Sequence, residues 1–471
     1  MKKKTGVIYK QKKKNAKKKK SLFSKKNFAK ISKLFSKNKW LVLLFIAILF
    51  IWTADALIPS HTYTNDKKIT ISPTSTAHNH SMNIQSPADL ANNYAADFKE
   101  KNFAAIWSLY APSYQNFIKN KVGENTYLSF LQKKFNKITI ANYRVNQCIA
   151  GQTIFPYGIE RKFHTVCHTY ISFALSSSNA TISAQLSLFA KTPLVIAKKN
   201  NIYKIIGGGP TDLQAPVLFP DTIANNTDAV PVIMYHRIAP MPARSEFNTD
   251  YGYRLDVGLT VTPQNFASQM NDLQSKNYHT ISPNDLFNNL YYHLPLPPNP
   301  ILLTFDDGRL SAFTYGLPIL LQHHFTATYF IPPYLSGKMF GLDNHNKYMS
   351  FAQLQILAEH GMYIENHSLK HDRPLWDIPP AALKQSLTTA NSELFQTTKY
   401  PIQFIAYPGR WPYANWDQIG PAQLTTEQVL SQMGFATAFL DLGQNEALEN
   451  SNYPYQVPRI RPGNMLILNL K

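Results

Sequence analysis

The sequence predicts an α/β protein: a βα-alternating C-terminal region, a smaller α+β unit before it, and one membrane-crossing helix before that. Three observations carry this. Short apolar runs alternate with helix-like stretches from Asp228 to Lys471, helical spacing gives way to strand alternation between Ser86 and Pro210, and the 15 residues from Trp40 to Ala54 carry no charge. The whole chain has 48 Lys and Arg against 28 Asp and Glu, a formal charge of +20 over 471 residues. Seventeen of those lysines lie in Met1 to Lys39, which has no Asp, Glu or Arg, so the other 432 residues carry only +3. With 44% hydrophobic and 13% aromatic residues the body has a core to bury, which excludes a disordered or collagen-like chain and a polytopic membrane protein.

Residues 1–39 read as a basic cytoplasmic tail and 40–58 as a transmembrane anchor. The uncharged stretch, extended through Asp55 to Ile58, reaches 19 residues, near the ~20 that cross a bilayer, with Trp40 and Trp52 close to its ends. The lysines hold their flank inside by the positive-inside rule, which places the body outside the cell membrane. Ala54-Asp55-Ala56 also matches a signal-cleavage pattern, and a secreted protein is the alternative; either way the body is exported. No aromatic or base-reading pattern accompanies the lysines, so the tail is expected to bind no nucleic acid and to act at the membrane surface. Residues 59–85, rich in Ser, Thr, Asn, His and Pro, read as a flexible linker.

From Ser86 the spacing of Leu90, Tyr94 and Phe98, and then of Phe103, Ile106 and Trp107, predicts two amphipathic helices, with a third around Tyr127 to Leu131. After Lys137 the alternation in KITIANYRV, HTVCHTYISFAL, ATISAQLSLFA and NIYKIIGG predicts an antiparallel sheet. Helices followed by a curved sheet over 86–210 resemble the nuclear-transport-factor-two-like cone found beside the membrane anchor in some Gram-positive cell-wall proteins. Cys148 and Cys167, the chain's two cysteines, fit either a disulfide between neighbouring strands or a pair of buried thiols. His164 and His168 flank Cys167, but strand geometry turns Cys167 to the opposite face, which argues against a metal site there.

Residues 211–227 read as a polar connector, and 228–471 as the catalytic region. There VPVIMYH, ILLTF, ATYFI, MYIEN, FIAYP and ATAFL alternate with helix-like Pro263 to Lys276, Phe351 to Glu359 and Ala381 to Phe395. This predicts a parallel barrel or a doubly wound sheet, with chemistry at the C-terminal ends of the strands. At the end of the strongest strand stands Thr304-Phe305-Asp306-Asp307-Gly308, whose two adjacent carboxylates call for a cation or metal if buried. Another run ends in Asn366-His367-Ser368-Leu369-Lys370-His371, where a helical turn would bring two imidazoles to one point. Two His and a carboxylate with an open position make a hydrolytic metal site, zinc being the default.

With Val232-Ile233-Met234-Tyr235-His236-Arg237-Ile238, LTFDDG, ATYFI, ENHSLKH, IAYPG and VPRIRPG in this order, the region from Pro231 to Arg461 resembles the polysaccharide deacetylase superfamily, in the branch of bacterial poly-N-acetylglucosamine deacetylases. The resemblance implies a distorted (β/α) barrel of fewer than eight strands and a metal-dependent N-deacetylase acting on N-acetylglucosamine units of a surface polysaccharide or peptidoglycan. It implies Asp306 as general base, Asp307, His367 and His371 as metal ligands, and the Gly409 N–H as an oxyanion donor. Two family features are missing: an Arg that steadies the base, for which Arg410 or Arg459 is available, and a closing Leu-x-His, whose acid role falls to His236 on the front strand. Trp411 and Tyr413, in a Pro-containing loop beside Gly409, are candidates for stacking on sugar. A catalytically silent carbohydrate-binding or wall-scaffolding protein, and a glycoside hydrolase, are the alternatives.

Overall fold

The computed structural model describes residues 84–150, 165–177, 186, 192–213, 215, 230–247, 249–339, 347–410, 412, 420–441 and 454–462. The expected tail and anchor, most of the 59–85 linker, most of the 180–190 strand run, and Trp411 and Tyr413 lie outside them. Among the described residues no helix is long and apolar enough to cross a membrane.

The first part opens with four helices, α1 (Pro87–Lys99), α2 (Phe103–Leu109), α3 (Pro112–Lys121) and α4 (Glu124–Phe135). Ser86 begins α1 as a reciprocal cap with Asp89, with Pro87 at the first helical position, where a missing N–H costs nothing. Strands β1 (Ile138–Val145), β2 (Ile149–Ala150), β3 (Thr165–Thr169), β4 (Ile171–Ser177), β5 (Leu194–Lys199) and β6 (Ile202–Gly208) follow. They pair antiparallel, β1 with β4, and β2-β3-β5-β6 in one sheet. Cys148 and Cys167 are joined as a disulfide between the β2 edge and β3. The helices lay Leu90, Tyr94, Phe98, Ile106 and Phe130 on this sheet as one core. The packing runs past Pro210: Leu213 and Ala215 belong to the same core, so the start of the 211–227 segment is a buried turn and not a polar connector.

The second part contains β7 (Val232–Tyr235), β8 (Arg237–Ile238), α5 (Asp250–Leu259), β9 (Thr260–Val261), α6 (Pro263–Ser275), β10 (His279–Thr280), α7 (Pro283–Tyr292), β11 (Pro300–Phe305), α8 (Leu317–Gln322), β12 (Thr328–Ile331), α9 (Phe351–Glu359), β13 (Tyr363–Asn366), α10 (Pro380–Thr398), β14 (Phe404–Ala406), α11 (Pro421–Gln432) and β15 (Thr437–Phe439). All six apolar runs become strands of one parallel sheet, ordered β10-β11-β12-β13-β14-β15 with β7 also on β11. Parallel strands are covered on both faces and so read as unbroken apolar runs. Alternate residues point to two cores. Ile233, Tyr235, Leu303 and Phe305 meet the outer helices, whereas Val232, Leu302, Phe330 and Phe404 fill the inside of the curl. The segment around Val457 to Ile460 bridges the two ends of the curl: Leu440 N–H donates to Val457 O (2.7 Å) and Ile460 N–H to Val232 O (2.8 Å).

Helix α7 packs Leu286, Phe287 and Leu290 into that inner core near the strand starts, with Phe287 5.5 Å from the Phe404 ring. Its other contacts go to the α+β part. Lys121 Nζ is 2.7 Å from Asp285, Asn288 Nδ2 donates to Leu213 O at 3.0 Å, and the Phe130 and Tyr292 rings meet edge-on at 5.2 Å. The α+β part is therefore seated at the strand starts, away from the strand ends where Asp306 and His367 emerge.

Candidate active site

Asp306 and Asp307 follow β11 directly, and His367 follows β13, so two parallel strands with β12 between them deliver these residues to one end of the sheet. Asp306 N–H donates to Tyr235 O at 2.9 Å, which sets His236, the residue after β7, beside it. The chain then turns sharply. Asp307 has φ 71° and Gly308 φ 69°, and a Cβ at Gly308 would sit 3.1 Å from Ile331 Cδ1, so this turn demands glycine. The second motif does not make the expected helical turn. Ser368 (φ 66°) and His371 (φ 53°) are left-handed, Ser368 N–H donates to Asn366 Oδ1 (2.6 Å) and His371 N–H to Ser368 Oγ (2.9 Å). This loop, at a cost typical of strained functional segments, turns both imidazoles toward Asp307.

Asp307 Oδ1 lies 3.5 Å from His367 Nε2 and 3.2 Å from His371 Nε2. The three ligand atoms fall within 4.8 Å of one another. His367 Nδ1 is 2.9 Å from Ala406 O, a pure acceptor, so in the neutral imidazole the proton sits on Nδ1 and Nε2 presents a lone pair. Asp307 Oδ1 is buried, and among the described residues no hydrogen bond of good geometry reaches it. Acceptors facing one another in a buried place are repulsive unless a cation lies among them, so these residues fit a divalent metal. The backbone carbonyl behind His367 is the kind of outer contact that orients metal-binding imidazoles.

Each carboxylate has its own guanidinium. Arg459, 0% exposed, grips Asp306 with both ends of its fork, Nη1 to Oδ1 at 2.7 Å and Nη2 to Oδ2 at 2.6 Å, while its Nε donates to Leu440 O. Of the two arginines available to steady this carboxylate, Arg459 does so, and Arg410 is exposed. Arg309 holds Asp307 Oδ2. Burial alone would raise both carboxyls, but Arg459 holds Asp306 below the usual carboxylate range, and Arg309 followed by His371 holds Asp307 well below it. Burial also works against charge on His367, but Asp306, Asp307 and the Ala406 carbonyl together outweigh it and the imidazole is raised. In His236 burial wins over the nearby Asp307 and Asp306, and its imidazole is lowered.

His236 is buried at the mouth, and Gly409 is exposed with φ 81°. Tyr235 and Tyr407 are core residues, Tyr235 stacking on Phe305 at 5.2 Å and Tyr407 meeting Trp376 at 5.9 Å. The sequence reading passed over Arg309, although it stands next to Gly308, and the Ala406 carbonyl, which carries no residue-type signal.

Residues 293–437 match the family model described as Polysaccharide deacetylase. YxkH of Bacillus subtilis (strain 168), which bears a polysaccharide deacetylase name, is 28% identical over 142 residues, 30% of this chain and 43% of the relative. The chain thus matches less than half the length of that curated relative. Among solved structures, the Streptococcus pyogenes deacetylase PplD in complex with acetate is 21% identical with a TM-score of 0.41, covering 51% of this chain and 93% of that one. IcaB from Ammonifex degensii is 20% identical with a TM-score of 0.40, covering 50% and 91%. Asp306, Asp307, His367 and His371 all lie inside the matched span, and the chain carries a polysaccharide deacetylase domain.

Proposed function

We propose that this protein is a metal-dependent N-deacetylase that hydrolyses acetamido groups on N-acetylglucosamine units of a cell-surface polysaccharide or peptidoglycan. One observation carries the reading: Asp307 Oδ1 and two imidazole Nε2 atoms converge, at 3.5 and 3.2 Å, with Asp306 3.9 Å from the His367 imidazole. In this reading Asp307, His367 and His371 hold the metal, zinc by the chemistry of the donor set. A metal there would polarise the acetamide carbonyl and acidify water. Asp306, kept ionised by Arg459, accepts the water proton as the hydroxyl adds to the carbonyl carbon. The carbon–nitrogen bond then breaks as the proton taken up by Asp306 is passed through His236, neutral at rest, to the leaving amine, and the Gly409 N–H faces the developing oxyanion. Trp411 and Tyr413 are the proposed sugar-stacking residues.

A glycoside hydrolase needs one carboxyl that keeps its proton near neutrality, and both carboxyls here are held low, which favours deacetylation. Likewise a silent binder has no use for three converging metal donors. The reading includes a distorted barrel displayed outside the membrane by the 40–58 anchor. The test is acetate release by the full chain from N-acetylglucosamine oligomers and from peptidoglycan, with and without chelator. Release that stops with chelator and returns with zinc is expected. Reducing ends in place of acetate, or no product from a zinc-loaded chain, would overturn it.

A further inference from the structure

Asp307 is held from two sides. Oδ1 faces the imidazoles, whereas Oδ2 takes Arg309 Nε and Nη2, each at 3.1 Å. Arg309 is itself fixed by a strap of residues 347–349. Its backbone pairs antiparallel with Tyr348, Leu310 N–H donates to Lys347 O (2.9 Å), and Met349 N–H donates to Gly308 O (2.9 Å). The strap is tied down in turn by Gly337 N–H to Met349 O (2.9 Å) and Tyr348 N–H to Lys338 O (3.0 Å). The Tyr348 ring lies 4.8 Å from the Arg309 guanidinium carbon, and the arginine side chain is 14% exposed. A guanidinium this constrained does more than neutralise charge. It consumes one oxygen of a carboxylate whose other oxygen belongs to the metal-binding cluster.

We propose that Arg309 is a positioning residue that restricts Asp307 to one-oxygen ligation and so keeps a side of the metal site open for water and the acetamide oxygen. This rests on the metal-dependent deacetylase reading. A carboxylate with both oxygens free can take a divalent cation with one or both, and a catalytic zinc site differs from a closed structural one by its open position. Without Arg309, Asp307 regains its second oxygen and loses a neighbouring positive charge. Metal binding then tightens while turnover falls, the opposite of what losing a merely structural contact would do.

The experiment compares the full-length wild type with Arg309→Met and Arg309→Lys. Zinc affinity is read by competition with a chromophoric chelator, turnover by acetate release, and coordination by the visible spectrum of the cobalt-loaded proteins. Arg309→Met is expected to bind zinc about threefold or more tightly than wild type, since a cation next to the metal has gone. Its kcat is expected to fall by more than about tenfold with KM little changed, and its cobalt bands to weaken as coordination number rises. Arg309→Lys, with one donor in place of a fork, is expected to lie between the two. Weaker zinc binding in Arg309→Met together with lost turnover would overturn the proposal, as would unchanged turnover. If Arg309→Met does not fold, Arg309→Lys decides on the same criterion: lower kcat at equal or tighter zinc affinity supports it, and weaker zinc overturns it. A wild type that binds no zinc at all sinks the metal reading itself, a result distinct from any of these.

Discussion

Two regions bury clusters of polar side chains, and they treat them in opposite ways. In the α+β part Tyr94, Tyr110 and Tyr127 converge on Thr211. Tyr94 Oη is 2.8 Å and Tyr110 Oη 2.6 Å from its hydroxyl, the two phenols Tyr110 and Tyr127 are 2.9 Å apart, and Tyr127 donates to the Thr211 carbonyl at 2.7 Å. All four hydroxyls are neutral, since burial raises each phenol well above its ordinary value, and these contacts serve every one of them. At the strand ends of the second part, two carboxylates are ionised and one oxygen, Asp307 Oδ1, faces two imidazole nitrogens with no well-formed hydrogen bond among the described residues. A satisfied buried network fixes a structure, here the turn by which the chain leaves the first core. A buried charge left short of a donor costs stability, and its survival in a strained turn marks a place kept for chemistry.

Breaking the second region should give the largest effects. Asp307→Ala or His367→Ala is expected to lose metal and at least about a thousandfold in acetate release. Asp306→Asn should keep its metal and lose about a hundred- to ten-thousandfold in kcat, since only the proton acceptor is gone. Metal analysis beside the rate separates these two outcomes. In the first region the effect should fall on stability alone. Tyr110→Phe removes contacts to Tyr127 and Thr211 and is expected to cost about 1–3 kcal/mol in urea unfolding, with acetate release unchanged.

The most particular effect concerns Lys134, whose side chain is buried on α4. Burial lowers it from 10.5 to about 7, partly offset by Asp212. Below about 7 the folded protein must carry this proton in a dry place; between about 7 and 10.5 the unfolded chain holds more protons than the folded one. Stability from this group therefore rises with pH across that window and is flat above it. Lys134→Met should remove the slope, as checked by unfolding midpoints at pH 6.5 and pH 9.5. A slope that survives would show that Lys134 does not titrate as its burial requires.

Strands carried most of what could be read from the sequence. Runs such as ILLTF and ATYFI are apolar throughout because both faces of the sheet are covered, and their order already placed Asp306 and His367 at strand ends. Helix α7 escaped because nine of its ten residues are buried, Asn284, Asn288 and Asn289 among them, which erases the polar face that periodicity detects. The α7 asparagines find partners only in three dimensions, as Asn288 does at Leu213 O. At the site, residue types named the carboxylates and imidazoles, but the left-handed turns that aim His367 and His371 replaced an expected helical turn. Arg459 meets Asp306 from 153 positions away, and no local pattern could choose it over Arg410.

The claim that the donorless oxygen of Asp307 belongs to a metal is tested most directly by metal content. Wild type, Asp306→Asn and Asp307→Asn would be dialysed against zinc, washed, and analysed for metal per chain. The account predicts one zinc per chain in wild type and Asp306→Asn and none in Asp307→Asn. Equal zinc in all three, or none in the wild type, would contradict it.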